Sequence, residues 1–270
     1  SIASDIQQII VIGDSQDGYS SSWDQATRAQ PSDRLIFDRP ISGTEIASYF
    51  HTGGTTGAPK LAQHTHRKQV LNVCQMQMTG PRGAKNNNVV DCDIILCTLP
   101  LFHVNAAFVT SLNAIIGAGK VILAGPNGFR NQRLIHEFWH LIEKYKVTFF
   151  AAVPTIYATL LDQPMSNLDT SSLINCGCGA APMPVSLIDN FARTTGADIM
   201  EGYGMTETIA VATTHYVYGD RKVGSVGMRI PYHNVRIAIT DDNGNIIKDC
   251  GPNQVGIIFH KGASTFPGYK

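Results

Sequence analysis

Residues 51 to 60 read His51-Thr52-Gly53-Gly54-Thr55-Thr56-Gly57-Ala58-Pro59-Lys60. Its glycines let the backbone bend and expose N–H groups, its threonines add hydroxyl donors, and Lys60 adds a positive charge. Such a run can wrap the oxygens of a polyphosphate. The same residues can also make a plain surface turn. The common P-loop is excluded, because no Gly-Lys-Ser/Thr follows at the required spacing. A second run, Glu201-Gly202-Tyr203-Gly204-Met205-Thr206-Glu207-Thr208, follows an apolar strand-like stretch. It combines a flat phenol, two glycines that permit close approach, a hydroxyl and a carboxylate. Those groups suit a purine, an α-phosphate and a hard divalent cation. Taken alone, a Thr-Glu pair at a helix start also reads as a cap.

Two further stretches carry reactive or small residues. Pro100-Leu101-Phe102-His103 presents an imidazole after a strand, and Cys178-Gly179-Ala180-Ala181-Pro182 places small residues at a strand-to-helix turn. A lone His103 is equally a structural histidine. His64 and His66 suggest a metal pair, but with no acidic or cysteine ligand nearby they read as helix-entry residues. Cys74, Cys92, Cys97, Cys176, Cys178 and Cys250 form no C-x-x-C pair, so free thiols in a reducing cytoplasm are expected rather than disulfides.

With these runs in view, the sequence resembles the adenylate-forming superfamily, which includes acyl-CoA ligases, peptide-synthetase adenylation domains and firefly luciferase. The family pattern Thr/Ser-Ser-Gly-Thr-Thr-Gly-x-Pro-Lys matches residues 52 to 60, with Gly53 standing where serine is usual. The Gly-Tyr-Gly-x-Thr-Glu pattern matches residues 202 to 207. Residues 100 to 103 resemble the Pro-Leu-Phe/Tyr-His segment of acyl-CoA ligases, and residues 178 to 182 a segment flanking the adenine. Gly224-Ser225-Val226-Gly227, Gly256-Ile257-Ile258-Phe259 and Gly268-Tyr269 resemble the segments that close the large N-terminal domain, with Arg229 and Tyr232 departing from the usual spacing.

The resemblance implies roles. Thr52, Thr55, Thr56 and the backbone of Gly53, Gly54 and Gly57 would hold the β- and γ-phosphates of ATP, with Lys60 closing the loop. Tyr203 would stack on adenine, with Glu201, Gly202 and Gly204 beside it and Gly179, Ala180 and Ala181 across the slot. Thr206 would reach the α-phosphate, Glu207 would bind Mg2+, and His103 would lie near the acyl carboxylate. The implied activity is ATP-dependent conversion of a carboxylic acid, expected to be fatty because Phe102-His103 stands where an adenylation domain would carry an aromatic-Asp segment for an amino group, to an acyl-adenylate and then to acyl-CoA. A peptide-synthetase adenylation domain, or a non-catalytic module that keeps the fold, is the alternative. The family's ribose-binding aspartate and its C-terminal lysine domain are not found; Gly219-Asp220 follows Tyr218 and lies too close to Glu207. The chain is therefore expected to be a fragment of the large N-terminal domain, with negligible turnover by itself.

These residues must be held by a scaffold. Apolar, β-branched runs at residues 9–12, 93–98, 121–124, 148–153, 173–178 and 198–201 alternate with helix-period segments. That order predicts an α/β fold with a largely parallel sheet flanked by helices. Leu134, Phe138, Leu141, Ile142 and Tyr145 place a stripe on a helix over 131–146. Val185, Ile188, Phe191 and Ala192 do so after Pro182 and Pro184, and residues 64–78 read as a further helix. From about residue 221 the pattern turns to short strands at 235–240, 245–248 and 255–260, with Asp242-Asn243-Gly244 as a hairpin turn. The expected division is thus 1–220 and a small β-rich subdomain, 221–270.

Composition agrees with such an enzyme. The 270 residues are 43% hydrophobic with 25 glycines, and 21 basic residues balance 21 acidic ones. No basic run would track nucleic-acid phosphates, so nucleic acid is not an expected partner. No stretch approaches the roughly 18 apolar residues of a membrane span. Small-molecule acid, ATP and coenzyme A are the expected partners, in the cytoplasm.

Overall fold

The computed structural model describes residues 9–13, 20–34, 36, 39–52, 60–80, 84–85, 88–89 and 92–270. Contacts divide the chain into two units, Ser1–Ser42 and Gly43–Lys270. In the first, β1 (Ile9–Val11) and β2 (Ser20–Ser22) pair in parallel and lead into helix α1 (Trp23–Arg28). The expected strand at 9–12 is therefore paired within this unit and not in the main sheet.

The second unit opens with β3 (Ile46–Thr52) and β4 (Lys60–Thr65), followed by α2 (His66–Gln77), β5 (Ala84–Lys85), β6 (Asn88–Val89) and β7 (Ile94–Cys97). A π-helical segment, Asn105–Leu112, runs into α3 (Asn113–Ile116). Then come β8 (Lys120–Leu123), α4 (Gln132–His136), α5 (Phe138–Tyr145), β9 (Phe149–Ala152), α6 (Pro154–Leu161), β10 (Asn175–Cys178), α7 (Val185–Thr195) and β11 (Asp198–Tyr203). The chain finishes with β12 (Thr213–Thr214), β13 (Met228–Arg229), β14 (His233–Thr240), β15 (Ile246–Asp249) and β16 (Ile257–Gly262).

The main sheet has seven strands in the order β13-β12-β11-β10-β9-β7-β8. The run from β11 to β8 is parallel, and β12 and β13 add an antiparallel edge. Strand β9 explains the layering. Phe150 and Ala152 join a core with Phe138, Trp139, Ile142, Tyr157, Leu160 and Phe191 from α5, α6 and α7. Its alternate residues, Phe149 and Ala151, pack on the other face with Ala114 of α3. A strand covered on both faces must be apolar at every position, and β9 is buried throughout. Each large side chain so buried contributes about 1.5–3 kcal/mol. The core is further pinned by Trp139 Nε1–H donating to the Leu160 carbonyl at 2.9 Å and the Tyr157 hydroxyl donating to the Gly177 carbonyl at 2.7 Å.

Some local expectations change. Residues 60–65, expected to open a helix in part, form β4, antiparallel to β3; Thr65 then caps α2 by accepting the Lys68 N–H at 3.3 Å. The helix expected over 131–146 is divided at Glu137, where φ and ψ are −90° and 2°. Its buried face takes in Ile135 and Trp139, while Tyr145 is exposed. Pro184 sits at the N-cap of α7, which ends on Gly196 at φ 77°. The β-rich end is an antiparallel sheet, β15-β14-β16. Its hairpin closes through the Gly244 N–H to the Asp241 carbonyl at 3.0 Å, with Gly244 at φ 81° as a tight turn demands. Among the described residues no helix is long and apolar enough to cross a membrane.

Candidate active site

A cleft of about 310 Å³ opens over the C-terminal ends of β9, β10 and β11. Ligands of open parallel sheets bind at this end, where loops fan out from rigid strands. Its floor is Phe149, Ala151 and Gly177. Strand β11 and the turn after it supply Gly202, Tyr203, Gly204, Thr206 and Glu207; Thr52 ends β3; His103 and Asn105 lie where the π-helical segment begins; and Gly179 and Ala180 follow β10.

The turn carrying Thr206 and Glu207 is a single 3-10 turn, Thr206–Thr208. Thr208 caps it: its hydroxyl accepts the Met205 N–H and donates to the Met205 carbonyl, both at 3.0 Å. Capping therefore falls to Thr208, and Thr206 and Glu207 line the cleft instead. The Glu207 carboxylate accepts the Tyr269 hydroxyl at 2.5 Å, and the Glu207 carbonyl accepts the Phe266 N–H at 2.8 Å. The carboxylate beside it pushes the Tyr269 phenol up to about 12. Lys60 stands over the Tyr269 ring, its Nζ 5.1 Å from the centroid.

Two backbone conformations at the cleft are unusual. Ala180, at its edge, has φ 67°, and Ile209, behind the Thr206 turn, has φ 69° and ψ −59°. A β-branched residue there is strained by roughly 1–3 kcal/mol, and strain of this kind gathers at sites where geometry is imposed by function. Packing holds Ile209: it is fully buried in a cluster with Val73, Met76, Val104 and Phe108. Close approach matters equally. A Cβ on Gly179 would stand 3.3 Å from the Gly202 carbonyl, and one on Gly204 would stand 1.8 Å from the Ala210 carbonyl.

His103 accepts the Asn105 N–H on Nδ1 at 3.2 Å, which leaves Nε2 to carry the proton of the neutral ring. Partial burial holds this imidazole below its ordinary value. The Asn105 Oδ1 is buried without a partner at the cleft.

The structure thus gathers Thr52, His103, Gly179, Ala180, Gly202, Tyr203, Gly204, Thr206 and Glu207 around one cleft. Gly53, Gly54, Thr55, Thr56 and Gly57 lie outside the described residues. Their flanks are fixed: Thr52 pairs with Lys60 across the hairpin, and its hydroxyl donates to the Lys60 carbonyl at 3.3 Å. Lys60 and Ala181 are not in the cleft lining, nor is Glu201. Glu201 is buried, and its carboxylate accepts the Gly224 N–H at 2.8 Å, which ties the 221–227 segment to β11. Tyr203 stacks on His260, with centroids 5.6 Å apart and planes 24° apart, and His260 Nδ1 is 3.1 Å from His233 Nε2. Motif reading had no means to anticipate that pairing, because His233 and His260 meet only through β14 and β16.

His64 is fully buried on β4, and its Nε2 is 2.8 Å from the Thr206 carbonyl. The helix-entry role falls to His66 alone. Among the described residues no group of three or more His, Cys, Asp or Glu could hold a metal ion. A lone carboxylate with a neighbouring hydroxyl is nevertheless the donor set that Mg2+ uses when phosphates and water complete its octahedron, so Glu207 and Thr206 fit that ion. All six cysteines are free. Burial pushes the thiol of Cys178, at the cleft, up to about 12, which leaves it protonated and inert.

The family profile described as AMP-binding enzyme matches residues 3–270. The chain is 51% identical over 248 residues to marinolic acid–CoA ligase of Pseudoalteromonas sp. (strain SANK 73390), covering 92% of this chain and 38% of that protein. It is 31% identical to a long-chain-fatty-acid–CoA ligase of Bacillus subtilis (strain 168), covering 83% of this chain and 38% of the other. Among solved structures, an anthranilate CoA ligase in complex with anthranoyl-AMP superposes with a TM-score of 0.79 at 25% identity, over 98% of this chain and 48% of that one. ATP-bound MatB from Rhodopseudomonas palustris gives a TM-score of 0.76 at 25% identity, over 93% and 46%. The chain thus spans two fifths to one half of the length of these relatives. With the profile matched over nearly its whole length, the chain belongs to the AMP-binding enzyme family.

Proposed function

We propose that this chain supplies the nucleotide and acid site of an acid–CoA ligase. A carboxylate is a poor acyl donor because oxide is a poor leaving group. In the proposed reaction a carboxylate oxygen attacks the α-phosphorus of ATP, an O–P bond forms, and pyrophosphate departs with the electrons of the broken bond. The thiolate of coenzyme A then attacks the acyl carbon, a C–S bond forms, and AMP leaves.

One observation carries the reading: segments far apart in sequence, ending in Thr52, His103, Ala180 and Thr206-Glu207, line a single cleft. On this reading Tyr203, Gly179 and Ala180 bound the purine, and Thr206 meets the α-phosphate. The loop between Thr52 and Lys60, with Thr55 and Thr56, cradles the β- and γ-phosphates. Bound at Glu207, Mg2+ would neutralise charge on the phosphates. His103, its Nε2 protonated, would donate to the acid's carboxylate and orient it for attack, so that catalysis rests on positioning and on aligned donors. The apolar side chains Val104, Val109, Phe149 and Met200 in the lining favour an apolar acid, fatty or aromatic, over an amino acid. ATP and coenzyme A as substrates support a cytoplasmic setting.

The test is acid-dependent ATP–pyrophosphate exchange by the intact protein, with fatty, aromatic and amino acids in parallel. Exchange with apolar acids, dependent on Mg2+ and lost in Glu207→Gln, is expected. Exchange driven only by amino acids would move the assignment to the peptide-synthetase type, and Mg·ATP binding without exchange would leave a non-catalytic module.

A further inference from the structure

We propose that His64 is a positioning residue for the Thr206-Glu207 turn, joining it to the β3–β4 hairpin. The inference rests on the nucleotide-site reading above and adds a residue outside the matched family patterns.

The hydrogen-bond chemistry fixes the tautomer. A carbonyl only accepts, so at 2.8 Å from the Thr206 oxygen His64 Nε2 must carry the proton. The ring is fully buried, where a charged imidazole would need an acceptor at Nδ1 as well as at Nε2, so it is neutral and Nδ1 is a bare lone pair. That Nδ1 is buried with no partner. The ring is packed by Phe50 of β3 at 5.0 Å between centroids and by Phe108 of the π-helical segment at 5.8 Å. A leucine would suit these apolar walls and would leave no orphaned nitrogen. A histidine here is therefore explained by its one bond, across 142 residues, to the carbonyl of the residue that precedes Glu207.

His64 is absent from the cleft lining, so it acts through the turn and touches no ligand. The bond also completes a pattern. The Thr206 carbonyl accepts from His64 and from the Ile209 N–H at 3.1 Å, and the next carbonyl, of Glu207, accepts the Phe266 N–H. The turn is thereby fastened on one side by β4 and on the other by the 264–269 segment. That segment is itself bound to β4 through the Gln63 N–H to the Gly268 carbonyl at 3.0 Å and the Lys270 N–H to the Leu61 carbonyl at 2.9 Å. The β3–β4 hairpin and the turn that presents Glu207 are one hydrogen-bonded body, with His64 as its direct strut.

The test compares Mg·ATP affinity by calorimetry, with thermal unfolding alongside, in the intact wild-type protein, His64→Leu and His64→Gln. Gln places an amide N–H near the position of Nε2, and Leu keeps only the volume. A neutral hydrogen bond of this kind is worth roughly a fivefold change in dissociation constant. Leu should weaken Mg·ATP binding by about that factor, and Gln should recover most of it. In a Glu207→Gln background the Leu change should add little, because the group it positions is already impaired. Nitrogen-15 NMR of the wild-type ring should give the neutral Nε2–H tautomer, a readout that needs no variant. Leu and Gln variants equally weak or both unchanged, full additivity with Glu207→Gln, or an Nδ1–H tautomer would each overturn the proposal. Wild-type protein that binds Mg·ATP but exchanges pyrophosphate with no acid would sink the ligase reading while the same affinity comparison still decides His64. Wild-type protein that binds no Mg·ATP would sink both.

Discussion

Gly204→Ala is the most demanding test of the cleft geometry. Strand β11 leaves the sheet at Tyr203, turns through Thr206–Thr208 and returns as β12, with the Ala212 N–H donating to the Tyr203 carbonyl at 2.9 Å. Gly204 faces the returning chain. An added Cβ would stand 1.8 Å from the Ala210 carbonyl oxygen, 2.7 Å from its carbon and 2.9 Å from the Val211 Cα, where ordinary contact begins near 3.4 Å. The two arms of the turn would have to part by about 1.6 Å, and none of the obstructing atoms belongs to a flexible side chain. Overpacking of this sort costs about 1–3 kcal/mol, which in a unit of this size lowers Tm on the order of 5 °C. The functional effect should be larger than the stability effect. Displacing positioned groups by about 1 Å can cost on the order of a hundredfold in rate, and Thr206 and Glu207 ride on the arm that must move. Thermal unfolding, Mg·ATP calorimetry and pyrophosphate exchange measure the two effects separately. Gly219→Ala is the control: its nearest neighbour would be 3.5 Å away, and its change should stay within about 0.5 kcal/mol with unaltered nucleotide affinity. Wild-type affinity in Gly204→Ala, or a stability loss no greater than the control's, would refute the reasoning.

Other expectations follow from single contacts. Tyr157→Phe removes the donor to the Gly177 carbonyl beneath the cleft and should cost about 1–2 kcal/mol in urea unfolding, with no loss of m-value. The Tyr269 phenol, pushed up to about 12 by its hydrogen bond to Glu207, should ionise nearer its ordinary value in Glu207→Gln, as read by ultraviolet difference titration against Tyr269→Phe. His233 and His260 are both held below the ordinary imidazole value, chiefly by burial, with Arg229 adding to the effect on His233. Below roughly pH 6.5 the unfolded chain then binds more protons than the fold, so stability should fall as pH drops through that point; a Tm unchanged or rising from pH 7 to 5.5 would contradict this.

The central sheet was legible because a strand buried on both faces has only one way to look. Ile94–Cys97, Phe149–Ala152 and Asn175–Cys178 fall within apolar runs whose flanking turns mark their ends, and they pair in parallel as expected. The segments misread or passed over break that rule. Strand β4 alternates Leu61 and Gln63 outward with Ala62 and His64 inward, but a histidine on the buried face hides the alternation, and its partner strand lies across a glycine-rich stretch of sequence. In the π-helical segment Ala106, Phe108 and Thr110 are the buried residues, a spacing of two that resembles a strand and offers no helical stripe. Strands β12 and β13, two residues each, are too short to carry any period.

The candidate site divides along the same line. Motifs name neighbours along the chain, whereas strand parity and tertiary pairing decide which of those neighbours face a ligand. On β11, Met200 and Gly202 line the cleft, while Glu201 between them looks the other way and serves the Gly224 N–H; at the strand's end, where alternation lapses, Tyr203 lines the cleft too. At the following turn the backbone no longer alternates. Thr208 takes over the capping, and consecutive side chains, Thr206 and Glu207, reach the cleft together. The groups that hold this arrangement, His64 from β4 and Tyr269 from the 264–269 segment, come from 142 and 62 residues away. No spacing rule connects residues at such separations. What identifies them is a side-chain donor whose recipient is the turn itself, fully buried in the case of His64, a property of the folded chain alone.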